Sequence, residues 1–598
     1  VRKEDSVANP KLEVGRWTLV DLVPANSGPE MEKVFASLEG AVRAVEAWRG
    51  RLDAKMPAES FSALARELER GVYLQATLRG YATLWFSERN SDPNALSFRQ
   101  RVDSSLAEAQ NRTLFAELWW KSLDDPNARR LLPASGDAAY YFESLRRFAP
   151  YTLAEPVEQA INVKDVNGIR GVTTIYDMMS NGFTYEITID GETKTLTRTE
   201  LMVYARDPDP AKRAAAYESL LGVFVANKDV LAQLYKYTAG DWHQENVKLR
   251  KMASPLAARN LSNDVPDDVV DALLAVCRDN APVYQRFFRQ KAKWIGMPRL
   301  RRCDIYAPLP SVTRTYSYAD AVRLVRQSFD RLDPTMTKLA ERVFDAGHVD
   351  SQPRPGKDIG AFCYGVVPDK TPWVLVNYNG RVENVSTLAH ELGHAVHALL
   401  ASKHSVLTAH SSLPLAETAS NFAQMLLLHV LLDVDPDPAL RRYLLAKYVD
   451  DCYSSILRQA YFVLFEREAH RLVGEGSPTA DDLAARYLDN LREQFGTSVD
   501  VPDEFRWEWL SIPHIYETPF YCYAYTFGHL LVLALYKQFE QDGAAFVPKY
   551  RRILESGGSK APLAILDEAG FDVRKRSFWQ GGFDLVAGMV DELEKLAA

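Results

Sequence analysis

The stretch Thr387-Leu388-Ala389-His390-Glu391-Leu392-Gly393-His394-Ala395-Val396-His397 decides how the rest of this chain is read. In a helix, residues four apart lie on one face, one turn above the other. His390 and His394 therefore aim two imidazoles at one point, and Glu391 stands beside that point. Leu388, Leu392, Val396, Leu399 and Leu400 supply an apolar stripe that seats the helix in a core, and Asn384 or Ser386 is placed to cap its start. Zinc accepts two histidines and a carboxylate and keeps its fourth position open for water. Such water has a pKa near 7, and Glu391 is placed to take its proton and deliver it to a leaving amine. The plainer reading of the same residues is a solvated polar helix face.

Outward from the motif, SSLPLAETASNFAQMLLLHVLL brings Glu417 into the start of an apolar helical segment. A carboxylate among Leu415, Phe422 and Leu426 needs a partner, and a metal ion is one. A glutamate stabilised by the helix dipole is the alternative. His397 falls on nearly the same face as His390 and His394, and is read as packed beside them, not as a ligand. Further on, SIPHIYETPFYCYAYTFGHLL carries His514, Tyr516, Tyr521, Tyr523 and Tyr525. On an extended strand 521, 523 and 525 face one way; in a helix 521 and 525 align. An imidazole and phenols are suitable donors to the oxyanion of an attacked carbonyl. An aromatic core segment is the alternative.

Most of the remaining sequence has helical period. Tyr217, Leu220, Leu221, Phe224, Leu231, Leu234 and Tyr235 recur at three- and four-residue steps, and residues 30–52 and 60–86 read as long antiparallel helices. Breaks fall near Ser91-Pro93, Asp124-Pro126 and Pro133-Gly136. Strand signals are few. FTYEITIDGETKTLT alternates about a two-residue turn at Asp190-Gly191, and Thr197 with Glu200 makes a capping box for the next helix. RRCDIYAPL and GAFCYGVVPDKTPWVLVNYNG form a second β region that stops at Asn379-Gly380, just before the motif helix. The expected fold is mainly α with a small β-sheet next to that helix. The expected division is an N-terminal helical lobe over 1–200, with the hairpin near its end, and a catalytic region over 201–598.

The chain has 598 residues, 47% of them hydrophobic, which is ample for a large core. Its formal charge of -8 shows no basic excess, which argues against nucleic acid or an anionic membrane as partner. The five cysteines, at 277, 303, 363, 452 and 522, include no CxxC pair; they read as reduced thiols of a cytoplasmic protein. No apolar run of 18 residues suggests a membrane span, and the first residues lack a signal-peptide core.

Taken together, HELGH, the Ala416-Glu417-Thr418-Ala419-Ser420 segment and the pattern P-H-x-Y-x(3)-F-Y-x-Y-x-Y from Pro513 resemble the oligoendopeptidase F family of zinc metallopeptidases, relatives of thimet oligopeptidase. GAFCYG, PWVLVNYNGRVENVSTLAHELGH and CDIYAPL are similar to that family as well. The resemblance implies a two-lobed helical clamshell around a deep channel, with one zinc ion per chain at its floor. It implies His390, His394 and Glu417 as ligands and Glu391 as general base. It implies that His514, Tyr521 and Tyr523 bind the carbonyl oxygen or the tetrahedral intermediate, and that the substrates are short peptides cut internally. One departure stands out: seven residues after the third ligand, where the family commonly has a second carboxylate, this chain has Gln424. Two rival functions share the motif, a zinc exopeptidase acting at peptide C-termini and a peptide-binding protein with structural zinc. Structural zinc usually has four protein ligands, often cysteine, and no cysteine lies within ten residues of the motif. The oligomeric state has no signal in the sequence.

Overall fold

The computed structural model describes residues 13–309 and 314–596, and most of them are helical. The long N-terminal helices run over Pro29–Glu46, Ala58–Glu88 and Pro93–Ser122. Their ends follow from local chemistry. Proline occupies the first position of the first and third, and Asp92 accepts the Asn94 N–H at 2.9 Å. Asp124 caps the following short helix in the same manner, accepting from Asn127 at 2.9 Å. These are the breaks expected near 91–93 and 124–126.

The hairpin forms as the alternation predicts. Tyr185–Ile189 pairs antiparallel with Glu192–Leu196, Ile189 opposite Glu192. Asp190 and Gly191 carry φ of 54° and 83°, the two left-handed residues such a turn requires. Tyr185, Ile187 and Ile189 are buried while Glu186 and Thr188 face water. The capping box of Thr197 and Glu200 opens the next helix.

RRCDIYAPL differs from the expectation. Only Leu300–Arg301 is a strand, parallel to Val499–Asp500; Arg302–Asp304 turns into a 3-10 helix. The cause is Asp304, fully buried. Its carboxylate accepts the Arg301 backbone N–H at 3.1 Å and the guanidinium groups of Arg301 and Arg213 at 2.7 and 2.9 Å, which bends the chain back on itself. The second β region does form a sheet. Trp373–Leu375 lies at its centre, between parallel Val349–Asp350 and antiparallel Phe362–Tyr364.

The chain divides into two compact units, and the boundary is not the one expected at residue 200. One unit comprises the chain up to Pro150, Thr313–Val434 and Gln538–Asp572; the other comprises Tyr151–Val312, Asp435–Lys537 and the C-terminal segment from Val573. A cut at 200 would split one core: the hairpin packs on the helix Pro210–Ala226, and Phe183 meets Phe224 edge-on with ring centres 5.4 Å apart. In the first unit, Leu78, Tyr81 and Trp85 of the second long helix share a core with Val366, Trp373 and Leu375 of the sheet. That arrangement fixes the sheet beside the motif helix.

Among the described residues one helical stretch, Leu413–Val434, which breaks at Glu417, is long and apolar enough to cross a membrane, although the sequence showed no such run. Of its most apolar 18-residue window, 72% is buried inside the protein.

Candidate metal centre

The motif helix spans Val382–Leu400. Its N-cap residue is Arg381, and Asn384, the third residue of the helix, reaches back so that its side-chain oxygen accepts the backbone N–H of Arg381 at 3.1 Å and of Asn379 at 3.2 Å. Leu388, Leu392 and Val396 are buried, as the stripe requires. The helices Tyr318–Leu332, Pro334–Asp345, Thr418–Val434 and Val547–Glu555 pack around it, with the sheet on another side.

Glu417 sits at a break between the short helix Leu413–Ala416 and the long helix Thr418–Val434. Gly393, inside the motif, brings that break close. A Cβ at 393 would lie 2.7 Å from the Ala419 carbonyl oxygen and 2.7 Å from the Ser420 Cα, so only glycine lets the two backbones approach this far. Tyr550 ties down the same turn, its hydroxyl donating to the Thr418 carbonyl at 3.0 Å.

The result is convergence. Nε2 of His390 lies 3.3 Å from Oε2 of Glu417, and Nε2 of His394 lies 3.4 Å from the same oxygen. These three residues form the one histidine–carboxylate group of metal-binding geometry among the described residues, with ligand atoms all within 4.8 Å of one another. Ligands about 2.0–2.1 Å from a tetrahedral ion stand about 3.3–3.4 Å apart, which is the spacing of both imidazoles from the Glu417 oxygen, so the residues present fit zinc. Ser420 donates its hydroxyl to Glu417 Oε2 at 2.7 Å and holds that carboxylate in place.

The support behind the imidazoles is unequal. Nδ1 of His390 faces the side-chain oxygen of Gln424 at 3.1 Å, and the Gln424 amide nitrogen donates to Ser386 Oγ at 3.1 Å. With the amide so oriented, its oxygen accepts a proton on Nδ1 and leaves Nε2 free to ligate, and the Ser386 hydroxyl accommodates the amide nitrogen. The sequence flagged Gln424 as a departure; the fold makes it the support of His390.

Electrostatics follow from this crowding. Burial opposes charge on both Glu417 and His390. Hydrogen bonds from the two histidines nonetheless hold the Glu417 carboxyl well below the usual range, and contact with Glu417, together with the charge of Glu391, holds His390 above its ordinary value. A divalent cation takes over the attraction that these protons supply. Glu391 is 6% exposed; burial pushes its carboxyl up, against the pull of His390 and His394. His397 is buried and lies outside the ligand group, as expected; burial, then the charges of His394 and His410, push it down to about 4, so it is neutral at pH 7.

A cavity of about 390 Å³ opens over these groups, lined by His390, Glu391, His394 and Glu417, by Phe362 and Cys363 of the sheet edge, and by the 409–411 loop. Asp137 anchors the approach to that loop, accepting the Ser405 N–H at 2.6 Å and the Thr408 hydroxyl at 2.8 Å.

The aromatic segment belongs to the other unit. Its helix runs Tyr523–Asp542; Tyr521 lies in the turn just before it, and the rings of Tyr521 and Tyr525 stand 5.3 Å apart. His514 joins them, with ring centres 6.3 Å from Tyr521 and 6.0 Å from Tyr525. Burial lowers the His514 pKa; Glu517 opposes this and the Arg458 charge adds to it. Tyr523 departs from the expected set. The helical turn sends it into the core, fully buried, where its hydroxyl accepts a hydrogen bond from Asn263 Nδ2 at 2.8 Å. The exposed member of the group is Tyr525.

Two imidazoles and a carboxylate converging beside a buried glutamate define a metallohydrolase centre in a helical protein. The chain belongs to peptidase family M3, whose family model matches residues 203–585. It is 27% identical over 408 residues to an oligoendopeptidase F homolog of Borreliella burgdorferi, covering 67% of this chain and 68% of that one. It is 23% identical over 593 residues to oligopeptidase PepF of Bacillus subtilis, covering 97% and 87%. In fold it is similar to the crystal structure of oligoendopeptidase-F from Enterococcus faecium, with TM-score 0.72, 20% identity and coverage of 95% and 98%. A Chlamydophila abortus protein of known crystal structure matches with TM-score 0.87, 22% identity and coverage of 99% of both chains.

Proposed function

We propose that this metallopeptidase is a zinc-dependent endopeptidase of short peptides, with His390, His394 and Glu417 holding one ion per chain and Glu391 as general base. One observation carries the reading: both Nε2 atoms lie 3.3–3.4 Å from a single Glu417 oxygen, beside the buried Glu391. Bound there, zinc supplies Lewis acidity and brings the pKa of water down to about 7. Glu391 accepts a proton at its carboxylate and returns it to the departing amine nitrogen. Its raised pKa makes it a stronger base for the first transfer and keeps the return transfer within reach at neutral pH. Gln424 keeps His390 in the ligating tautomer. The donor role that the resemblance implies for His514 and Tyr521 is part of the proposal; buried Tyr523 is not.

The preference for short, unfolded substrates has a structural basis in the sheet. Phe362–Tyr364 is an edge strand that borders the cavity, and an extended peptide can add to such an edge through main-chain hydrogen bonds, with little dependence on its side chains. All five cysteines are free thiols, in keeping with the proposed cytoplasmic location. The relatives' names, oligoendopeptidase F and oligopeptidase, support internal cleavage of short peptides.

Mass spectrometry of products from a peptide mixture, run with free and with amidated C-termini, tests the proposal. Internal cuts that survive amidation are the expected outcome. Cleavage that stalls on amidated peptides would make the enzyme a C-terminal exopeptidase, and turnover of folded proteins at the rate of short peptides would remove the size limit.

A further inference from the structure

The turn that presents Tyr521 is held from outside by two helices of its own unit. Pro519 and Phe520 come immediately before Tyr521, and each gives a backbone polar group to a side chain distant in sequence. The Pro519 carbonyl accepts from Arg259 Nε at 3.1 Å, and the Phe520 N–H donates to Glu466 Oε1 at 2.7 Å. Arg259 lies on the helix Pro255–Asn263 and Glu466 on the helix Arg458–Glu475. Four residues after Arg259, on the same helix face, Asn263 donates to the hydroxyl of Tyr523. The segment is thus gripped on both sides of Tyr521. The Tyr521 side chain is itself only half-buried, and its hydroxyl hydrogen-bonds to no described residue.

Local hydrogen bonds close the turn: the Tyr521 N–H donates to the Thr518 carbonyl at 3.1 Å, and the Ala524 N–H to the Tyr521 carbonyl at 3.0 Å. They set its shape. Its direction comes from the bonds to Arg259 and Glu466.

The grip is unfavourable for folding at two points. Phe520 is held at a φ of 60°, in the left-handed region that a bulky side chain enters only under constraint. Glu466 is fully buried, and its second oxygen, Oε2, is occluded without a hydrogen-bond partner. Burying an acid with half of its hydrogen-bonding capacity unused is costly. A glycine at 520 and an apolar residue at 466 would avoid both costs. The protein keeps the two together at the turn that carries a member of the proposed donor group, and strain of this kind gathers where a site needs a fixed geometry.

We infer that Glu466 and Arg259 are positioning residues, which hold the 519–520 backbone so that the Tyr521 hydroxyl stands where the carbonyl oxygen of a substrate gains charge. This role rests on the proposed function of Tyr521 as a donor. Such a donor works over a narrow range of distance, and a displacement of about 1 Å costs about a hundredfold in rate. Glu466 has a close substitute. Burial pushes its carboxyl up to about 8, against the pull of the Phe520 N–H and Arg259, so at pH 7 it is mostly protonated and glutamine matches its shape, charge and acceptor oxygen.

The test is a double-mutant cycle on the full-length enzyme, with kcat and KM measured on one internally quenched peptide and thermal unfolding recorded for each variant. Glu466→Leu should lower kcat at least about tenfold and leave KM within about twofold, and Glu466→Gln should restore most of the lost kcat. In a Tyr521→Phe background, Glu466→Leu should cost less than about twofold, because the group that it positions is gone. A residue that served stability alone would lower kcat by the same factor in both backgrounds. Arg259→Met keeps the stem of a half-buried side chain and removes the bond to Pro519, so it runs the same cycle where loss of Glu466 disturbs the core; a fall in kcat of at least about threefold is expected. Losses that multiply in full, or an unchanged kcat in Arg259→Met and Glu466→Leu, overturn the inference while the donor role of Tyr521 stands. An unchanged kcat in Tyr521→Phe alone overturns the donor role, and the inference with it.

Discussion

Replacing Gly393 by alanine adds one methyl group inside the motif, and the structure sets what it must do. The new Cβ would lie 2.7 Å from the Ala419 carbonyl oxygen and the Ser420 Cα, whereas ordinary contacts begin at 3.4 Å. The motif helix and the start of Thr418–Val434 must therefore part by about 0.7 Å, and both contacts are backbone, which cannot swing aside. Alanine in a helix gains about 1 kcal/mol over glycine, while overpacking of this kind costs about 1–3 kcal/mol. The net effect on folding is small, at most about 2 kcal/mol of destabilisation. The effect on the centre is larger. Glu417 moves with the parting backbone, away from imidazoles now 3.3 and 3.4 Å from its oxygen, and the tetrahedral spacing is lost. We expect zinc affinity to fall by at least about tenfold, measured by competition with a chromophoric chelator, with thermal unfolding recorded alongside. A Gly393→Ala protein that binds zinc as tightly as the parent would show that the close approach at 393 does not set the ligand geometry.

Gln424→Leu removes the acceptor behind His390 while keeping similar bulk; zinc affinity should fall about 10–100-fold in the same competition assay, and an unchanged affinity would deny the support role. Glu466 gives a stability prediction. Burial pushes its carboxyl up to about 8, against the pull of the Phe520 N–H and Arg259, from an unfolded value of 4.5. Between those values the unfolded chain has released a proton that the folded chain keeps. Stability from this group is thus complete below pH 4.5 and is lost as pH rises toward 8, about 3 kcal/mol of it by pH 7. Glu466→Gln should flatten that loss in denaturant melts taken across the window, and an identical pH slope in both proteins would contradict the buried, protonated state. For the aromatic segment, Tyr521→Phe should lower kcat with little change in unfolding, while Tyr523→Phe should act through stability, by about 1 kcal/mol, because its hydroxyl serves Asn263; the reverse pattern would return Tyr523 to the substrate side. Glu391→Gln should retain zinc and lose hydrolysis by at least about a hundredfold; loss of zinc with it would make Glu391 a ligand.

Much of the centre was legible in the sequence because its chemistry is local. His390, Glu391 and His394 sit within one helical turn, where spacing alone fixes direction, and the hairpin turn and capping box are likewise set by neighbours in the chain. Glu417 was readable as a carboxylate in apolar company, but its approach depends on Gly393 facing Ala419 and Ser420, a backbone contact between helices that no periodicity encodes. The support of His390 by Gln424 and Ser386 arises the same way, across two helices. Tyr523 came from the family pattern, since spacing alone left strand and helix both open; the chain turns helical at Tyr523 and buries it. RRCDIYAPL has strand-like residues, yet two guanidinium groups and a backbone N–H gathered on buried Asp304 override that preference. The interleaved units were out of reach, since the chain passes between them several times with no change in composition at the crossings.

That three side chains from two neighbouring helical segments hold one divalent ion is tested most directly by equilibrium zinc binding to the full chain and to its Glu417→Ala variant. One ion per chain is expected, with affinity reduced at least about a hundredfold when Glu417 is removed. Binding of no ion by the parent, or equal affinity without Glu417, would contradict it.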